Sequence, residues 1–133
     1  MSMPWSKVHV WIGTNYDEDY DSYFELDYDC DDIDDPNYEV CQFCKDINEK
    51  WYDEDRIGVY QNSELVDARM LLEDLSVDGG ILAEIENICH KKNIRKANAM
   101  FFYINSDIVV SDKNKLYNKL IYLGVFDTNL ASD

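Results

Sequence analysis

Positive charge is scarce in this 133-residue chain: Lys and Arg number 12 against 28 Asp and Glu, a net charge of −16. Phosphate would be repelled at long range, so nucleic acid and anionic membranes are excluded as direct partners. With only 2 Pro and 5 Gly, the chain has no room for collagen-like or linker-like sequence. Apolar runs are a few residues long, well short of a membrane span. Met1 to Trp5 has neither a basic start nor an apolar stretch, so no signal peptide is expected. The 4 Cys (Cys30, Cys41, Cys44, Cys89) are not needed as staples in a domain this size. They read as free thiols in a reducing compartment, and the expected location is the cytoplasm.

What the chain does have is aromatic side chains and carboxylates, both concentrated early. Its 10 Tyr, 5 Phe and 3 Trp make 14% of the residues, which suits a folded domain better than a disordered acidic tail. From Asn15 to Asp55 there are seventeen acids against Lys45 and Lys50, whereas residues 56–133 carry eleven acids against nine bases. Asp17 to Asp35 alone holds eleven carboxylates and no base. Two readings of that run stand side by side. Like charges repel, so the tip around Asp29 to Asp35 reads as a solvated loop. The interleaved Tyr16, Tyr20, Tyr23, Phe24, Tyr28 and Tyr38 read instead as part of a contact surface for a basic partner.

Periodicity divides the chain into about four strands and three to four helices in a single domain over 1–133, an α+β fold. Lys7 to Ile12 alternates and is β-branched, a strand. Thr14 or Asn15 is placed to cap a helix carrying Tyr16, Tyr20, Tyr23, Phe24 and Tyr28 on one face. An acidic loop near 27–37 follows, ending at Asp35-Pro36. Tyr38 to Asn48 predicts a short helix with Val40, Phe43, Cys44 and Ile47 inward. Trp51 to Gln61 predicts a strand, and Ser63 opens a helix with Leu65, Val66, Met70, Leu71, Leu72 and Leu75 on its apolar side. Asp78 is placed to cap a further helix bearing Ile81, Leu82, Ile85, Ile88 and Cys89. Ala99 to Ile104 and Leu120 to Phe126 complete the strands.

Reactive groups do not assemble into a recognisable catalytic pattern. Asp27, Asp29 and Asp31 occupy the first, third and fifth places of a calcium loop, but Asp32 stands where that loop needs glycine and Tyr38 where it needs glutamate. Cys41-Gln-Phe-Cys44 has the spacing of half a zinc site, with no second Cys/His pair to complete it. A thioredoxin-type role needs such a pair just after a strand, and the preceding residues do not read as one, so two thiols on a short amphipathic helix is the favoured reading. Cys89 and His90 are adjacent on a helix, so their side chains diverge. Asp78-Gly79-Gly80 is a turn or cap, and no glycine-rich phosphate cradle is present. No enzyme activity and no cofactor are expected.

Val8-His9-Val10-Trp11-Ile12-Gly13, Tyr23-Phe24, Phe43-Cys44-Lys45-Asp46-Ile47, Trp51-Tyr52-Asp53-Glu54-Asp55 and Leu123-Gly124-Val125-Phe126-Asp127 occur in this order over nearly the whole chain. Together they resemble the immunity protein 22 family. The resemblance implies an α+β fold without catalysis and a partner that is the toxin domain of a bacterial polymorphic toxin, bound in the cytoplasm. Two departures concern the acidic insert around Cys30 to Asp35, longer and richer in aspartate than the family pattern, and Arg56, where a bulky apolar residue is expected. The charge pattern points to a basic toxin, a nuclease whose phosphate-binding surface is positive. The expected contact residues are Tyr20, Asp21, Asp27, Tyr28, Asp29, Asp31, Asp32, Asp53, Glu54 and Asp55. Asp46, Asp53 and Asp55 have a structural reading as well, as anchors of backbone or basic side chains. The alternative function is an acidic cation-binding or regulatory module with no toxin partner.

Overall fold

The computed structural model describes residues 6–30 and 32–130. Its centre is β1 (Lys7–Gly13), in which His9 and Trp11 point to one side while Val8, Val10 and Ile12 point to the other. Strand residues alternate faces, and here both sets are buried, so the strand must lie inside the sheet with a layer on each side. It does. The five-stranded sheet has the order β2 (Ile57–Asp67), β3 (Lys96–Ile104), β1, β5 (Leu120–Asp127), β4 (Leu116–Tyr117), and every pairing is antiparallel. The short β4 adds a fifth strand to the four expected.

One face is covered by helices α2 (Ala68–Leu72) and α3 (Gly79–Lys91). Leu71, Leu72, Ile85 and Cys89 pack there against Val8, Val10, Ile12 and Met100. The other face is aromatic. Trp11 stacks on Phe101 with ring centroids 4.6 Å apart, and Phe43 meets both rings edge-on. Tyr20, Tyr23 and Phe24 close this core from a 3-10 turn, Tyr20–Phe24, and Phe43 and Cys44 from the short helix α1 (Gln42–Asp46). Burying an aromatic side chain contributes on the order of 2–3 kcal/mol, so this cluster is a main source of stability.

Three expectations need correction. The helix from Asn15 through Tyr28 is only the single 3-10 turn Tyr20–Phe24. Asn15 is fixed to the sheet instead: its N–H donates to Asn98 Oδ1 at 2.7 Å, and its carbonyl accepts from Asn98 Nδ2 at 2.7 Å. Its Oδ1 takes the Asp17 N–H at 2.7 Å, a local turn that competes with helix. Tyr16 and Tyr28, the ends of the expected stripe, are exposed.

The helix expected from Ser63 begins later. β2 runs on to Asp67, with its register against β3 interrupted between Gln61 and Val66, and Asp67 caps α2 by accepting the Arg69 N–H. Leu65 and Met70 are therefore on the surface. Finally, Trp51 to Asp53 precede a short 3-10 turn, Glu54–Arg56, and the strand starts only at Ile57. Among the described residues, no helix is long and apolar enough to cross a membrane.

Candidate functional site

The acidic segment follows the Tyr20–Phe24 turn and leads into α1 as irregular chain, held by its own carboxylates. Asp27 Oδ1 accepts the Asp29 N–H at 3.2 Å, while its Oδ2 accepts the Glu39 N–H at 3.1 Å, so one side chain joins the two ends of the loop. Asp32 and Asp35 each accept an N–H two residues ahead, from Asp34 at 3.0 Å and Asn37 at 2.8 Å. Lys50 Nζ reaches Asp34 at 3.0 Å and offsets part of the local repulsion. Exposed pairs of this kind contribute little, usually below about 1 kcal/mol.

The segment Trp51–Asp55 approaches this loop from the other side. Tyr52 is buried and donates its hydroxyl to the Phe24 carbonyl, and the Asp53 N–H donates to Tyr103 Oη at 3.0 Å. Asp53 Oδ1 then caps the 3-10 turn by accepting from the Asp55 N–H at 3.0 Å, and its Oδ2 pairs with Arg56 Nε at 3.1 Å. With its backbone pinned in this way, the segment presents Glu54 to the loop, where the Tyr28 hydroxyl donates to its carboxylate. That hydrogen bond raises the Tyr28 phenol above its ordinary pKa.

Three hollows meet at Tyr28. One of about 460 Å³ is walled by Glu25, Asp27, Tyr28, Asp29, Glu39 and Cys41, among others. The second, about 350 Å³, has Phe24, Tyr52 and Val59 beside Asp21, Glu25 and Glu54. The third, about 240 Å³, lies between Tyr28, Ile33, Tyr38, Trp51 and Glu54. Carboxylates thus alternate with exposed apolar surface, Tyr28 at 65%, Trp51 at 50% and Ile33 at 40% exposure.

The expected contact residues separate into three groups. Asp21, Tyr28, Asp29, Asp32, Glu54 and Asp55 are exposed. Asp27 and Asp53 are half-buried and engaged in holding the loop and the 3-10 turn. Tyr20 is a correction: it is 1% exposed, with its ring edge-on to Phe24 and its hydroxyl 3.4 Å from the Met100 carbonyl, and has no surface to offer a partner. Asp31 lies outside the described residues. Glu25 and Glu39 are not among the expected contacts, which favour the aspartates around them. Their signal was the same charge run, and the loop folds back so that both face one hollow.

The motif residue Asp46 has a structural position. It is reached by the Tyr23 hydroxyl at 2.5 Å, by Gln42 Nε2 at 3.1 Å and by Lys115 Nζ at 3.2 Å, which joins the 3-10 turn, α1 and the loop before β4. Cys89 is buried and His90 exposed, so they face apart on α3. Among the described residues, no three His, Cys, Asp or Glu side chains converge as a metal site would require.

The arrangement is suited to recognition: fixed dipoles and charges around shallow hollows, with aromatic side chains between them. No curated protein and no solved structure matches the chain. A family model described as Immunity protein 22 matches residues 8–129, from the first buried residue of β1 to just beyond the end of β5. The chain belongs to the immunity protein 22 family.

Proposed function

We propose that the chain neutralises its cognate bacterial toxin in the cytoplasm by direct binding, and that the toxin domain is a basic nuclease whose substrate surface the acidic loop and the Trp51–Asp55 segment cover. Membership of an immunity protein family supports a toxin partner. The observation that carries the finer reading is the convergence at Tyr28 and Glu54, which brings two acidic segments 26 residues apart to the same hollows. Aromatic rings supply area that excludes water, and carboxylates supply a field complementary to a phosphate-binding surface. The chain's role is stoichiometric occlusion, with no catalytic step.

Charge and aromatic area act on different rate constants. Long-range attraction raises the rate of association, up to about 10⁸–10⁹ M⁻¹s⁻¹ at low salt, whereas desolvated rings mainly slow dissociation. Stopped-flow mixing with a cognate toxin domain separates them. Asp21→Asn, Asp29→Asn, Asp32→Asn and Asp55→Asn combined should slow association about tenfold at low salt and flatten its salt dependence. Trp51→Ala should leave association nearly unchanged and speed dissociation about tenfold or more. Unaltered association of the fourfold variant at both low and high salt would remove this surface from the mechanism.

A further inference from the structure

The pair Cys41 and Cys44 is not used by the surface just described, although Cys41 forms part of the wall of its largest hollow. Their sulfurs lie 3.2 Å apart. Cys41 immediately precedes α1 and its Sγ accepts the Cys44 N–H at 3.4 Å, so the first turn of the helix holds the two side chains face to face. Cys44 is fully buried beneath it and Cys41 is 7% exposed. The residues before Cys41 are not a strand, so the setting is not that of a thioredoxin.

The other two thiols are placed differently. Cys30 is half-exposed and bonds the Asp32 carbonyl, while Cys89 is buried in the apolar layer of α3, where burial pushes its thiol up to about 11.

We infer that Cys41 and Cys44 form a redox modification site, a dithiol that a hydroperoxide converts to an intramolecular disulfide through a sulfenic acid on Cys41. The thiolate of Cys41 attacks one peroxide oxygen and expels hydroxide, or alkoxide from an organic peroxide, forming a bond from Sγ to that oxygen. Cys44 Sγ then attacks Cys41 Sγ, and its proton leaves with the displaced hydroxide as water. Two thiols are oxidised by two electrons and one peroxide is reduced, giving two waters in the case of hydrogen peroxide. The second step needs the sulfurs to close from 3.2 Å by about 1.2 Å to the length of a disulfide bond. A hydroperoxide suits a thiol that is only 7% exposed, because it is far smaller than a disulfide oxidant.

The division of labour follows from the donors around each sulfur. The Cys44 thiol and the backbone N–H groups at Cys44 and Phe43 favour charge on Cys41 and bring it down to about 7, while the same contact and burial push Cys44 up. Opposing a thiolate are the burial of Cys41 itself, the carboxylates of the hollow (Glu25, Asp27, Asp29 and Glu39) and Glu49 beside Cys44; the nearby phenols Tyr38 and Tyr52 are shifted upward and stay neutral. Attack therefore comes from Cys41, and Cys44 resolves. In a reducing cytoplasm such a bond is transient and reports oxidative stress.

The test treats the reduced full-length chain with hydrogen peroxide, alkylates the remaining thiols and maps them by peptide mass spectrometry. Cys41 and Cys44 should become protected together, joined in one peptide and released by dithiothreitol, while Cys30 and Cys89 still take the label. The rate should rise about tenfold from pH 6 to pH 8 and then level off, whereas an ordinary thiol keeps rising through about 8.5. In Cys44→Ser the reaction should stop at a sulfenic acid on Cys41 that dimedone captures. Labelling of Cys41 and Cys44 that persists after Cys30 has been consumed overturns the proposal, as does oxidation of Cys41 without joining to Cys44. The wild-type mapping stands alone should the variant fold poorly.

Discussion

Burial holds the His9 imidazole at a pKa of about 4, against an ordinary value of 6.5 and a smaller opposing pull from the backbone at Asn105 and Ile108. The residue is 3% exposed, its Nδ1 lies 2.8 Å from the Tyr122 hydroxyl, and among the described residues its Nε2 has no hydrogen-bond partner. The folded chain therefore refuses a proton that the unfolded chain accepts. Stability from this group is complete above about pH 6.5, is lost as pH falls from 6.5 towards 4, and changes no further once both states are protonated. At about 1.4 kcal/mol per unit, the loss by pH 4.5 is on the order of 2–3 kcal/mol. Urea denaturation at pH 7 and pH 4.5 should show His9→Phe losing about 2 kcal/mol less than the wild type. Parallel losses would mean that the acid limb belongs to other groups. From the sequence a strand histidine such as His9 reads as either packed or half-exposed, because nothing local records that β1 is central and covered on both faces. Tyr20 was misplaced for the same reason: an aromatic among carboxylates reads as surface until the neighbouring layer is known.

At the level of elements, the chain's own pattern specified β1, β3, β5 and α3 well, since the strands are β-branched or aromatic runs and α3 has an unbroken apolar face at helical spacing. It misled where a polar contact from far along the chain decided the outcome. The aromatic stripe from Tyr16 to Tyr28 has helical spacing, yet Asn98 and Asn118 hold Asn15 and the carbonyl of Tyr20 through side-chain bonds of 2.7–3.0 Å. Repulsion among Asp17, Asp21 and Glu25, one helical turn apart, acts in the same direction. Asp46 shows the converse, a motif residue whose use is readable only in three dimensions. It accepts from Tyr23 and Lys115 and so ties α1 to elements on both sides. Its carboxylate is 17% exposed, so the loss of these charge-assisted bonds is incompletely repaired by water. Asp46→Ala should lower the unfolding free energy by about 2 kcal/mol, and Asp46→Asn by about half as much because it keeps an acceptor for Tyr23. If chemical denaturation finds both within experimental error of wild type, Asp46 is available for partner contact and its structural assignment fails.

Over the whole molecule, the charge is separated from the sheet. Strands β2 to β5 and helices α2 and α3 belong to the part of the chain that is nearly neutral, eleven acids against nine bases, while the acidic third lies over the aromatic face as loops and short turns. The strands and the helices α2 and α3 thus carry little of the charge, while the acidic third both supplies Tyr20, Tyr23 and Phe24 to the aromatic core and retains a repulsive surface useful for docking. The cost is self-repulsion, and its size can be set against the ion pairs. Lys50–Asp34, Lys119–Asp17 and Lys7–Asp127 are exposed, each worth less than about 1 kcal/mol, and salt screens them. Salt equally screens repulsion among the eleven carboxylates of Asp17 to Asp35, which have no base among them. Many like-charge contacts act against a few attractive ones, so screening should stabilise. Raising sodium chloride from about 20 mM to about 500 mM shortens the screening length from roughly 20 Å to 4 Å. The thermal midpoint should rise by about 5 °C, equivalent to one or two kcal/mol for a domain of this size. A midpoint that falls with sodium chloride would mean that attraction outweighs repulsion in the folded chain, and the acidic third could then no longer be a surface left unneutralised for a basic partner.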